Sequence, residues 1–354
     1  MTSRPAGFGL VEMMLAMALG LIISAGVFVI FLAQRQVYST TTSQALVQDA
    51  DNAISAIVTP AIRGSGFMGC GAISNGVHSY LTSRTTPLTF DTSSGIQGYT
   101  GTLPASIVDG SANDVSKGDW APALDASFVT AGGVTKGSDV LTLIGATSGS
   151  VPTATKQDVT ASAPISIVDS TQGPLTSGAQ ILALSDCNKS VVFQATGVTG
   201  NVVSYTTGPN GIPTFLAGAQ LAPVQQTAFF IAKGHAGQSA LFEGVMTLGS
   251  TGAANAFWTV NEIVPGVSGM KVLYGITNGN VTQYVDANGV AAAGGWSLVT
   301  VVKLGFLVEG NQGSASKLTA PTLYSLFNSS LSVPADSRLR HVFYMTVNTR
   351  NTTL

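Results

Sequence analysis

Residues 8–33 are apolar or small at nearly every position, and Glu12 is the only charged side chain among them. A membrane-spanning helix needs roughly 20 such residues in a row, so this run is long enough to cross a bilayer. Arg35 closes it. The apolar part of an ordinary secretory signal covers roughly 7–15 residues and ends at a small-x-small site. This run is longer, and the one Ala-x-Ala within it, Ala16-Met17-Ala18, is followed by further apolar residues up to Ala33 and so does not close it. The polar stretch 1–7 carries Arg4 and the starting amine, which favour a cytoplasmic placement. The expectation is a single-pass anchor with the rest of the chain on the far side. A lone carboxylate inside such a span costs a few kcal/mol, so Glu12 is expected to have a specific role.

Beyond the apolar run the pattern changes. Val37, Leu46, Val47, Ala50, Ile54, Ile57, Val58 and Ile62 recur at spacings near three and four, with polar residues between them. That spacing predicts an amphipathic helix laid on a globular body. Pro60 has no N–H and is predicted to kink or end the helix near Thr59. Gly64-Ser65-Gly66 then completes the stop. The division is a leader at 1–7, a helix at 8–63 (8–33 spanning, 34–63 amphipathic) and a head at 64–354.

Short β-type runs follow at 140–144, 165–168, 180–184, 191–194, 202–206, 227–232, 270–274, 298–308 and 341–348. Asn-Gly pairs at 210–211, 278–279 and 288–289 mark turns. The stretch 78–137, rich in Thr, Ser, Gly and Asp, reads as a surface-decorating insertion. The fold class is α+β: a long N-terminal helix carrying a β-rich head, whose antiparallel sheet packs on the amphipathic half of the helix.

Charged residues make up only 9% of the chain, and 15 Lys and Arg against 17 Asp and Glu leave a net charge of −2. Ordinary soluble domains carry roughly 25%. No basic field attracts a polyanion, so no nucleic-acid partner is indicated. His78, His235 and His341 stand apart in sequence and give no ligand spacing, so no metal and no cofactor are expected. No paired nucleophile and base argues for an enzyme, which leaves a membrane-anchored exported hydrolase as a distant rival. The segment 64–69 fits G-x-G-x-x-G but follows a helix instead of a strand, and reads as a helix-stop loop. Asp286-Ala287-Asn288-Gly289 reads as a hairpin turn in preference to a calcium loop. Arg338 and Arg340 alternate in a β-like run and read as a solvated edge strand or a subunit contact. Trp120, Trp258 and Trp296 fit a core or an adhesive surface equally.

Gly7-Phe8-Gly9-Leu10-Val11-Glu12 resembles the class III signal of type IV pilins. The resemblance implies cleavage by a prepilin peptidase between Gly7 and Phe8, N-methylation of Phe8, and a Glu fifth in the mature chain, here Glu12. The new amine and a carboxylate are each costly alone in hydrocarbon. Paired between neighbouring subunits, they offset each other's desolvation and fix the axial register of one helix on the next. Segments 62–70, 137–141, 185–187, 229–232, 265–275 and 338–351 are similar, in the same order, to the PilW family of minor pilins. That likeness implies a non-catalytic subunit that helps prime pilus assembly at or near the tip, supporting adhesion and twitching motility. Its implied partners are the prepilin peptidase, other minor pilins and the major pilin, the inner-membrane assembly platform and a tip adhesin. The implied location is the inner membrane with a periplasmic head, and then the pilus at the cell surface. A minor pseudopilin of a type II secretion system shares the leader chemistry and stands as the alternative. An exported head lies where disulfides form, so Cys70 and Cys187 are expected to be bonded.

Overall fold

The computed structural model describes residues 9–69, 77–80, 95–101, 105–106, 119–124, 128, 133–146, 152–161, 163–171, 175, 178–186, 188–206, 211–249, 252–278, 281–318, 320–327 and 329–349. One helix, Leu10–Gly64, runs through the first sixth of the chain. Its buried stripe is Ser43, Val47, Ala50, Ile54, Val58 and Ile62. These recur every three or four residues, so they lie on one face. Val37 and Leu46 were expected on that stripe, but they are 65% and 45% exposed and fall outside it. Pro60 does not end the helix as expected. It sits inside, between Val58 and Ile62, both fully buried. The carbonyl it leaves unpaired belongs to Ala56, at an exposed position where water can satisfy it. The stop comes at 64–66. The Ser65 hydroxyl donates to the Ile62 carbonyl at 2.6 Å, and Gly66, at φ 76°, turns the chain so that its N–H reaches the Ile144 carbonyl at 2.7 Å. The glycine pattern is a helix-stop loop, as expected.

The head is β-rich. A twelve-stranded sheet has as its main path the strands Trp120–Ala121, Ile96–Gly101, Val140–Ala146, Gln220–Lys233, Gln180–Ser185, Ser190–Thr199, Val202–Thr206 and Ile165–Ser166. From the far half of Gln220–Lys233 the antiparallel strands Ser239–Gly249 and Gly252–Pro265 extend outward. A second, antiparallel sheet orders Val281–Val285, Val267–Asn278, Val299–Glu309 and Arg340–Asn348. The helix stripe packs against both sheets in one cluster that includes Phe229, Ile231, Met270, Val272, Leu304 and Phe306. The hairpin Thr322–Leu326 and Ser329–Val333 adds Leu326, Leu331 and Val333 to a smaller cluster with Leu307.

Ser138 and Asp139 stitch the two sheets together. The Asp139 carboxylate accepts from the N–H groups of Gly101 at 3.0 Å and Val272 at 2.8 Å and from Lys271 Nζ at 2.9 Å. Its own N–H donates to the Met270 carbonyl at 2.9 Å. Burial pushes this carboxyl upward from its ordinary value, and the Lys271 charge opposes the shift. A buried acid is tolerated when its oxygens are this fully satisfied.

The structure corrects two further sequence readings and decides one that was open. The stretch 78–137 is not simply a surface decoration. Ile96–Gly101 pairs with Val140–Ala146 inside the large sheet, and Ile96, Tyr99, Trp120, Leu124 and Phe128 are buried. Glycine hid this strand: a side chain at Gly98 would collide with the Tyr274 hydroxyl. Asn288-Gly289 lies in a one-turn helix, Ala287–Val290, capped by Asp286 accepting from Gly289 N–H at 2.8 Å, and is not a hairpin. Trp120 and Trp258 are core residues, and Trp296 packs edge-on against Tyr274. By contrast Asn278 pairs with Val281 across a two-residue connection, the hairpin its Asn-Gly pair predicts.

Residues 153–221 hold an unforeseen unit. Residues 220–221 of the strand Gln220–Lys233 pair on one side with Gln180–Ser185 and on the other with Thr153–Ala154. Gln180–Ser185 leads through Ser190–Thr199 and Val202–Thr206 to Ile165–Ser166. A bridge between Thr155 and Ile167 returns the path to its start. Six strands thus close into a small barrel. Its interior is a core of its own, built on Leu182, Leu184, Val191, Phe193, Val203, Phe215 and Leu221. Phe193→Ala in the head should cost about 3–5 kcal/mol. The loss should be local: limited proteolysis should cut within 153–221 while the helix-bearing core stays intact. Cleavage spread evenly over the head would show that the barrel is not a separate unit.

Candidate functional site

The functional surface is the helix and its junction with the head. The apolar residues of its first half, from Leu10 to Leu32, are exposed, between 47% and 78% for the large side chains. None of its most apolar 18-residue window is buried against the protein, although it is long and apolar enough to cross a membrane. An all-round apolar helix with no protein cover requires lipid or other helices as its solvent. Glu12 stands in its first turn, and its carboxylate accepts from the Gly9 N–H at 3.3 Å. This satisfies one of the orphan donors at the helix start. Gly7 and Phe8 lie outside the described residues, as do Cys70 and Cys187.

Among the described residues, the hydrogen bonds between head and helix begin at Gln36. Its side-chain amide donates to the Gly313 carbonyl at 3.3 Å. The Ser39 hydroxyl donates to the same carbonyl at 3.2 Å, and Thr40 to the Ser314 carbonyl at 3.0 Å. The Asn311 N–H donates to the Ser43 hydroxyl at 3.3 Å. Gly310 lets the strap approach, because a side chain there would press on Ser43. Residues 310–318 therefore form a strap over one polar stretch of the helix. Sequence reading missed it, since its helix partners Gln36, Ser39, Thr40 and Ser43 continue the spacing of the stripe with polar side chains.

Charged groups hold the strap from behind. Arg340 meets Asp336 at 2.6 Å and Glu309 at 3.2 Å, and Arg338 lies 3.7 Å from Glu309. Ala315 N–H and Leu318 N–H donate to the carbonyls of Ser337 and Asp336 at 2.9 Å. The arginines are not the solvated pair expected from sequence: Arg340 is 2% and Arg338 16% exposed. Burial raises the Asp336 carboxyl, but hydrogen bonds from Arg340 and from the Arg338 N–H, with both guanidinium charges, bring it below its ordinary value. Farther along, Asp51 on the helix faces His341 at 3.7 Å, and burial raises the Asp51 carboxyl while His341 opposes the rise.

Residues 228–351 match the family model described as Type IV Pilus-assembly protein W, and residues 2–28 match the prokaryotic N-terminal methylation motif. The chain carries a PilW domain behind an N-terminal methylation motif. The methylation motif implies processing by a prepilin peptidase and dealings with the pilus machinery, and the motif with its apolar helix fits membrane anchoring. The PilW family is a structural kind of protein. Among solved structures, a type IV-like pilin from Thermus thermophilus is similar at 18% identity over 50% of this chain and 86% of that one, with a TM-score of 0.24. A search of curated proteins finds no match.

The PilW domain includes both arginines of the strap network. Arg340→Leu should destabilise the strap, because it leaves buried Glu309 and half-buried Asp336 with only Arg338, 3.7 and 3.6 Å away, as a cation. A carboxyl with a lowered folded value stabilises above its unfolded value and loses that contribution as pH falls through the folded one. The Asp336 contribution should therefore be full at neutral pH and fade only below about pH 4. Hydrogen exchange at the Ala315 and Leu318 amides, followed against pH, checks both statements. Unchanged protection in the variant would remove the network from any role in the strap.

Proposed function

We propose that this protein is a minor pilin that helps prime assembly of a type IV pilus and enters the filament at or near its tip, supporting adhesion and twitching motility. The observation that carries the reading is the fully exposed apolar helix, opening on the methylation motif with Glu12 in its first turn and joined to a PilW domain. Gly7 and Phe8 are the cleavage site, Phe8 is the methylated residue, and Glu12 of one subunit pairs with the Phe8 amine of a neighbour. Other minor pilins, the major pilin, the inner-membrane platform and a tip adhesin are its partners, and its head faces the periplasm before assembly.

Mass spectrometry of membrane-extracted protein should find a methylated Phe8 at the terminus. Glu12→Val should insert into the membrane as well as wild type or better, because a costly carboxylate is gone, yet be depleted from sheared pili. Equal incorporation of the variant would mean that Glu12 does not set assembly. Recovery with secretion components in place of pilins would transfer the protein to a type II pseudopilus.

Cys70 and Cys187 form a disulfide in this reading. Support comes from their neighbours: a Cβ built on Gly69 lies 3.4 Å from the Ser185 Cβ. The loop closed spans 187 − 70 = 117 residues, worth about 4–5 kcal/mol in the chain-entropy model. Thiol alkylation of the folded head, before and after reduction, should label neither cysteine and then both. Labelling without reduction would exclude the bond.

A further inference from the structure

The strand ends nearest the strap form a continuous rim. The Gly266 N–H donates to the Ser239 carbonyl at 3.0 Å, the Glu309 N–H to the Gly266 carbonyl at 2.7 Å, and the Gly310 N–H to the Leu339 carbonyl at 2.8 Å. These bonds align the ends of five strands, and the strap carries the rim down the helix to Gln36. The height of this rim follows from helix geometry. Residues 10–33 rise about 36 Å, enough for a hydrocarbon core of about 30 Å. Gln36 lies about 4.5 Å beyond Ala33. The headgroup layer on each side of the hydrocarbon is roughly 5–8 Å deep. The Gly313 backbone, bonded to Gln36, therefore falls within that layer, while the strand ends, level with Ser43 through Gly310 and Asn311, stand about 10 Å above it.

The charge on the rim suits such a place. Arg35, Lys233 and Lys317 are exposed. Among the described residues, the nearby acids are paired: Glu262 with His235, and Glu309 and Asp336 with the arginines. Asp49, the exposed acid on the helix, lies about 20 Å farther from the membrane than Gln36.

We propose that the strap, the lowest part of this rim, rests on the phospholipid headgroups of the membrane that the helix crosses, with acidic phospholipid as its partner, a proposal that rests on the anchor reading above. The footing stops the helix from sinking and so sets the depth of Glu12, about 36 Å along the helix from Gln36. The test uses the full chain in proteoliposomes, with a photoreactive benzoylphenylalanine replacing Val27, Gln312 or Leu216 in turn. Lipid adducts are expected at 27 and 312 and absent at 216, in the barrel. In vesicles of purely zwitterionic lipid, and in Lys233→Glu and Lys317→Glu, the yield at 312 should fall by about fivefold per lysine, while the yield at 27 stays constant. Adducts at 27 with none at 312 overturn the footing and leave the anchor standing. No adduct at 27 overturns the anchor and the footing together. A yield at 312 indifferent to lipid charge overturns the choice of acidic lipid.

Discussion

Ile54, Val58 and Ile62 have no exposed surface, and they are where a rod of about 82 Å is fixed to its head. Burial of each such side chain stabilises by about 1.5–3 kcal/mol. The strap's hydrogen bonds, made at half-exposed positions, contribute about 0.5–1.5 kcal/mol each. The apolar stripe therefore holds the helix, and the polar strap decides where along it the head begins. Without the stripe the strap would be a set of weak bonds to a free helix. Without the strap the head would still be attached, but the lower end of its contact would be loose.

This division lets one helix meet two environments. From Leu10 to Leu32 it is apolar on nearly all sides, and its large side chains are exposed among the described residues. Above Ser43 it is amphipathic, with its stripe covered by both sheets. The change falls within two turns, and those turns are filled by Gln36, Ser39, Thr40 and Ser43. Such residues are at ease in a headgroup layer and against a backbone carbonyl, so the transition needs no buried unpaired group.

The two halves of the helix were legible in sequence because each obeys a simple rule, one of length and one of period. Strands buried on both faces, such as Val140–Ala146 and Val299–Glu309, were legible as apolar runs. Ile96–Gly101 was not, because its glycines answer to distant neighbours. Gly98 makes room for Tyr274 and Gly101 for the Gly137 backbone, neither visible from local pattern. The arginines were misread for a related reason. Alternating charges look solvated until the strand end that supplies Glu309 is placed beside them. The methylation motif was legible in sequence, since its glycine, its glutamate and the apolar run are local.

The barrel was invisible for a topological reason, and that reason also explains how the head accommodates it. The chain leaves the strand pairs that cover the helix after Ala146 and returns to them at Val224, and those two residues pair directly. Everything between is an excursion from neighbouring antiparallel strands. The returning strand serves both bodies: residues 220–223 pair with Gln180–Ser185, and residues 224–229 with Val140–Ala146. Pro223 stands at the change of partner. Proline cannot donate to a ladder and is at home where pairing is interrupted, so its missing N–H falls where one ladder ends and the next begins. The PilW match starts at residue 228, past this junction. The barrel can thus change in size or surface without altering the strand pairs that cover the helix.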